Sequence, residues 1–249
     1  MKSLKIHAVI YLAIVLAFPG PVLAEKQSLP EVTEDGLHLV PDSRMAIVYA
    51  EPGADLASYR RVKLLDAYVA FKKNWERDQR STGSRIAISS SDMNRIKDRM
   101  SEEFRVVFTK VLEDGGYPVV EEAGDDVLLI RPAIVDLNPN APDINRAGRT
   151  RTYASSAGDM TLYVELYDSQ TGDKLAKALD KKADGRNGDF YTWANSASNK
   201  AAADRILKGW ANILLEALND AKECSSVVRI ARKSPRRSAP EVSWCQLVD

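Results

Sequence analysis

The sequence predicts an α+β domain, a mixed or antiparallel sheet of four to five strands with two main helices packed on one face. Three observations carry that expectation. Met160, Leu162, Val164 and Leu166 alternate with Thr161, Tyr163, Glu165 and Tyr167, a period of two that sets the apolar side chains on one face of a strand. Stretches near 91–114 and 198–221 instead repeat apolar residues at spacings of three and four, as helices with one buried side do. The order strand, helix, strands, hairpin, helix suits helices gathered against one sheet.

Taken in order, residues 1–24 read as a signal peptide. Lys2 and Lys5 precede an apolar run from Ile6 to Phe18, and Val22-Leu23-Ala24 offers small residues of the kind a signal peptidase reads. Cleavage is expected after Ala24, leaving a chain in the periplasm or secreted. The run is shorter than the roughly 20 residues of a membrane span, and no later segment approaches that length. No cysteine stands at the end of the run, so the sequence does not read as a lipoprotein.

Residues 25–45, with Pro30 and Pro41, read as an extended lead-in, and 46–221 as one α+β domain. Pro52-Gly53 marks a turn and Asp55 caps one helical turn after it. Val62 to Phe71 is the first strand, rich in β-branched and long apolar residues. Lys72 to Ser91 is a charged, Ser-rich connection containing Trp75. The first helix begins near Ser91 or Asp92, buries Met93, Ile96, Met100, Phe104, Val107, Phe108, Val111 and Leu112, and stops at Gly115-Gly116. Tyr117 to Val120 is a short strand and Val127 to Leu137 a long one. Its Pro132 calls for an edge, a bulge or a strand end, because proline donates no ladder bond.

Asn138 to Gly158 is a long polar connection. The strand from Met160 then turns at Asp168-Ser169-Gln170-Thr171-Gly172-Asp173 into a return strand with Leu175 and Leu179. Lys177 shares their parity, which places the return strand near an edge. Asp184 to Ser198 is polar, with Phe190, Tyr191 and Trp193. The last helix, Ser198 to Ala221, buries Ala202, Ile206, Trp210, Ile213, Leu214 and Ala217, and Gly209 permits a close approach to the sheet. Residues 222–249 hold six basic and three acidic side chains and read as a flexible basic tail, or as a segment that contacts membrane surfaces or anionic polymer.

Pro52-Gly53-Ala54-Asp55-Leu56 with Tyr59-Arg60-Arg61-Val62, Gly116-Tyr117, Gly124-Asp125-Asp126-Val127-Leu128, and Asp168-Ser169-Gln170-Thr171-Gly172 with Leu175 resemble a bacterial envelope family, domain of unknown function 3313, over about residues 35 to 221. Many members look like lipoproteins of Gram-negative bacteria, from which this chain departs by lacking the acylated cysteine. The family has no assigned activity, so the resemblance implies an envelope location and a single domain and carries over no catalytic residue.

The chemistry is bounded mainly by what the sequence lacks. The whole chain has 35 basic and 35 acidic residues, and loss of Lys2 and Lys5 with the signal leaves two more acidic than basic, which argues against a nucleic-acid partner. Past the signal, His38 is the one histidine. No Gly-x-Ser-x-Gly elbow accompanies it, and neither a histidine–cysteine metal set nor a phosphate loop is present. The sequence therefore predicts no catalytic residue, metal or cofactor. Cys224 and Cys245 are the only cysteines; in an oxidising compartment they pair, and otherwise they are two thiols on a tail.

Candidate contacts for a ligand or partner are Arg146, Arg149, Arg151 and Tyr153 in the long connection, suited to a phosphate or carboxylate, and Trp75, suited to stacking on a sugar or to packing over a helix end. The leading expectation is a non-catalytic periplasmic binding or accessory protein that presents residues 72–91 and 138–158 to an unknown envelope protein, glycan or lipid. A carboxylate enzyme acting on cell-wall or surface glycan through Asp125, Asp168 and Asp173, and a membrane-surface protein held by the basic tail, are the alternatives.

Overall fold

The computed structural model describes residues 29–81, 88–139, 152–154, 158–183, 192–194 and 196–233. The chain divides into two compact units, Met1–Pro30 and Glu31–Asp249. Of the first, only Leu29 and Pro30 are described.

The second unit is a mixed sheet of seven strands with a few helices. In chain order come β1 (His38–Leu39), β2 (Ile47–Ala50), β3 (Arg61–Leu64), β4 (Tyr68–Phe71), α1 (Trp75–Ser81), α2 (Ser90–Asp114) and β5 (Val127–Pro139). Then come β6 (Thr152–Ala154), β7 (Gly158–Asp168), β8 (Lys174–Ala183), β9 (Thr192–Ala194) and α3 (Ser196–Lys233). The main sheet runs β1-β2-β8-β7-β5-β3, with β4 also on β5. β3 and β4 lie parallel to β5, and the remaining pairs of this sheet are antiparallel.

Seven strands replace the expected four to five for two reasons. The lead-in contributes β1, and Ile47–Ala50 at the start of the domain contributes β2; together they extend the sheet beyond β8. The expected strand from Val62 to Phe71 is two strands, divided at Leu65–Ala67. Pro132 accounts for that division. The Ile130 carbonyl accepts from Leu65 N, so residues of the same parity in β5, Pro132 among them, direct their main-chain groups toward β3 and β4. β3 pairs as far as Ile130 and β4 begins at Ala133. The missing N–H thus falls at the gap, and proline sits inside a central strand where its neighbour has left. The expected strand Tyr117–Val120 is a single bridge, Val62 to Val119.

The hairpin forms as the alternation requires. Gly172 N donates to Asp168 O, and the Asp168 carboxylate accepts from Gln170 N and Thr171 N, both at 2.8 Å. β8, however, is internal, with β7 on one side and β2 on the other. An irregularity opposite Leu166/Tyr167 shifts its parity. Ala176 and Ala178 therefore join the core side, and Lys177, opposite Glu165, marks the other face rather than an edge.

Met160, Leu162, Val164 and Leu166 share one core with Phe104, Val107, Phe108 and Leu112 of α2 and with Leu207, Trp210, Ala211 and Leu218 of α3. Each large side chain buried there contributes roughly 1.5–3 kcal/mol. Helix α2 starts at Ser90, one or two residues ahead of the expected start near Ser91 or Asp92. Ser89 is its cap, in a reciprocal box with Asp92. At its other end Gly116 has φ 86 and makes the left-handed stop. Gly115 serves packing instead, since a Cβ there would lie 2.4 Å from Leu215 Cδ1 of α3. The connection 72–91 contains α1, and α3 continues to Lys233, past the expected end at Ala221. Gly209 is not needed for a close approach, since a Cβ there would meet only Lys182 Nζ, at 3.6 Å.

Candidate functional site

A crevice of about 80 Å³ lies between α3 and the sheet. Its floor is Val48, Leu162, Val164, Leu166, Ala176 and Ala178, and its wall is Phe108 with Trp210, Ile213, Leu214 and Ala217. The alternation of β7 sends three of the floor residues inward, and the alanines of β8 and α3 leave the space between them. The lip is Ser43, Arg44 and Met45, in the turn ahead of β2, where Ser43 Oγ donates to Met45 O at 2.6 Å. Arg44 is ion-paired with Glu216 of α3.

Asp180 ties the lip to the helix. It accepts from Trp210 Nε1 at 2.7 Å and from Ala46 N at 3.1 Å, joining β8, α3 and the segment before β2 through one buried carboxylate. Lys182 lies 3.7 Å from that carboxylate and stands over the Trp210 ring.

The opposite face of the sheet holds a polar cluster centred on Glu165, which is 7% exposed. Tyr163 and Tyr167 each donate to it at 2.8 Å, and Lys174 lies at 3.0 Å. Lys174 and Lys177 also hold Asp35 of the lead-in, at 2.8 and 2.7 Å. Burial alone would raise the Glu165 pKa, but Lys174 and the two tyrosines outweigh it and keep the group below its ordinary value. Burial and the bond to Glu165 push Tyr163 up to about 12. Asp35 is lowered by its two lysines. The cluster satisfies its own charges and joins the lead-in to β7 and β8.

The segments that carried the family resemblance meet at one end of the sheet. Tyr59 donates to Asp168 Oδ2 at 2.8 Å. Arg61 pairs with Asp126 through Nε at 3.0 Å. Ser169 Oγ accepts from Gly124 N at 3.1 Å and donates to Gly124 O at 3.0 Å. Three stretches far apart in sequence thus brace one corner.

The residues expected to make contacts fare differently. Trp75 is 2% exposed; it stacks on Phe71 with centroids 4.3 Å apart and donates Nε1 to Pro139 O at 3.1 Å. Its ring is packing, with no face open to a sugar. Arg146, Arg149 and Arg151 lie outside the described residues. Tyr153 is in β6, in register with Trp193 of β9, so 152–154 of the connection 138–158 and 192–194 of the connection 184–198 pair as a small antiparallel sheet. Cys224, on α3, is disulfide-bonded, and Cys245 lies outside the described residues. His38 is exposed in β1. Asp125 and Asp173 are exposed in or beside turns, and Asp168 is engaged in the hairpin turn.

The crevice was missed because its lining reads as ordinary core. The inward alanines Ala176 and Ala178 are the only sequence signal for it, and they become inward only once β8 shifts parity.

Among the described residues no helix is long and apolar enough to cross a membrane. The chain is similar in structure to the PelC dodecamer from Paraburkholderia phytofirmans, at 11% identity over 68% of this chain and 96% of that one, with a TM-score of 0.34. It is likewise similar to protein XCC0632 from Xanthomonas campestris, at 12% identity over 70% and 90% of the two chains, with a TM-score of 0.36. No curated protein matches the sequence. The family model described as protein of unknown function (DUF3313) matches residues 35–214, the span that includes the braced corner and the hairpin, and the chain belongs to that family.

Proposed function

We propose that this is a non-catalytic binding or accessory protein of the bacterial envelope, exported through its first 24 residues, and that its binding site is the crevice between α3 and the sheet. The observation that carries the reading is the crevice itself, a concave site with apolar walls and polar groups confined to its mouth. The placement of the carboxylates weighed for glycan chemistry lends it support. Asp168 is used by the hairpin turn and Tyr59, and Asp125 and Asp173 stand exposed in or beside turns. Membership of a family with no assigned activity is consistent with it.

The test is titration of the purified protein with dissolved xenon, an uncharged apolar probe smaller than a benzene ring, followed by xenon NMR. The expected result is a saturable shift at one xenon per chain that Ala178→Phe removes. An unsaturable response, or one that Ala178→Phe leaves intact, counts against the crevice. Cross-linking in envelope extracts bears on the accessory role, and recovery of monomer alone across growth conditions would argue against it.

A further inference from the structure

We propose that the far end of α3, with the loop that a disulfide closes behind it, is a docking surface for an anionic lipid bilayer. The surface is independent of the crevice. Leu218 and Ala221 are the last described residues of α3 in or against the core, and Lys222 stands over the Tyr117 ring, 3.7 Å from its centroid. The helix runs on to Lys233, about 17 Å further at 1.5 Å per residue. The sequence of this extension sorts by side. From the core positions Leu207, Ala211 and Leu218, helical spacing leads on to Lys222, Arg229, Arg232 and Lys233, so the side that packs on the sheet turns basic beyond it. Val227, Val228, Ile230 and Ala231 fall on the opposite side. A helix basic on one side and aliphatic on the other is suited to lying in a headgroup layer.

The disulfide adds the second half of the surface. Cys224 is disulfide-bonded and Cys245 is the one other cysteine in the chain, so the bridge closes residues 225–244 into a loop. That loop holds five basic residues, Arg236 and Arg237 among them, and one acidic residue, Glu241. The rest of the chain past Ala24 has six more acidic residues than basic ones, so the positive charge is gathered at this end. An anionic polysaccharide would be served by the charges alone. A bilayer also uses the aliphatic side of the helix, and it uses Trp244, which the bridge tethers close to α3 through its neighbour Cys245. Apolar residues interleaved with the basic ones therefore favour lipid over glycan.

The experiment is sedimentation of the exported, oxidised protein with vesicles of phosphatidylcholine and with vesicles of an equal mixture with phosphatidylglycerol, over a range of salt. Binding to the mixed vesicles should be about tenfold or more tighter and should weaken as salt rises. Arg229→Gln with Arg232→Gln should weaken it about 25-fold, since each basic residue near an anionic surface is worth about fivefold. Ile230→Ser should weaken it about fivefold and leave the salt dependence unchanged, and Trp244→Ser, outside the helix, replaces it should the first variant lower the unfolding temperature. Ala178→Phe, in the crevice, should leave vesicle binding as it is. Equal binding to the two kinds of vesicle, binding to neither, or indifference to the paired arginine variant overturns the assignment. Tighter binding to alginate than to the mixed vesicles, with Ile230→Ser and Trp244→Ser both without effect, also overturns it and gives the surface to an anionic polysaccharide.

Discussion

Two glycines show how much a single residue's surroundings decide. Gly158 has φ 134, and a Cβ there would lie 2.2 Å from the Asn138 carbonyl oxygen, which is backbone and cannot step aside. Gly158→Ala is therefore expected to lower stability by roughly 1–3 kcal/mol, seen as a lower urea midpoint with an unchanged slope. Gly209 is the opposite case, a glycine within α3 whose added Cβ would make only an ordinary contact with Lys182 Nζ. Gly209→Ala should raise stability by about 0.5–1 kcal/mol, and a fall in the urea midpoint would show that α3 needs the gap. Nothing in the letters separates these glycines. Trp75 teaches the same point, since an aromatic residue in a polar stretch reads as available until Phe71 and Pro139 close over it.

Among the elements, α2 and the hairpin were legible because their signals are local. The apolar repeat of α2 declared the helix, while its cap is Ser89 with Asp92, three apart, where Ser91 or Asp92 was expected to begin it. Ser89→Ala should cost about 1 kcal/mol, measured by thermal or urea unfolding, and no change would mean that another side chain takes over the cap. The strands on either side of the hairpin were less legible. β8 was expected at an edge because of Lys177, yet a shift of parity and a partner in β2 make it internal. β3 and β4 were expected as one strand, and the gap between them comes from Pro132 in β5, about 65 positions further along. β1 and β2 are two and four residues long, too short for any periodicity to declare them.

At the scale of the molecule, ion pairs and turns involving carboxylates link distant segments, and this gives stability a definite dependence on pH. Arg61 lowers the Asp126 pKa, and the Thr171 main chain with Tyr59 lowers that of Asp168. Glu165 is lowered as well, against the effect of its burial. With folded pKa values below the unfolded ones, their stabilisation is full above the ordinary carboxylate range near pH 4. It is lost as the pH falls through the folded values, because the unfolded chain then binds protons first. The urea midpoint should hold between about pH 7 and 5 and drop below about pH 4, with a shallower drop for Glu165→Gln. A midpoint that stays level to pH 3 would show that these groups are as free folded as unfolded.

Local rules were enough for the hairpin, the two long helices and the family, because each is written within a few dozen neighbouring residues as period or turn chemistry. The number and order of strands, the inward turn of Ala176 and Ala178, and the crevice they help to open arise from pairings between segments more than a hundred residues apart, as between β2 and β8. Which face a strand buries depends on the register of its neighbour, and a register is a property of two strands that neither one spells out alone.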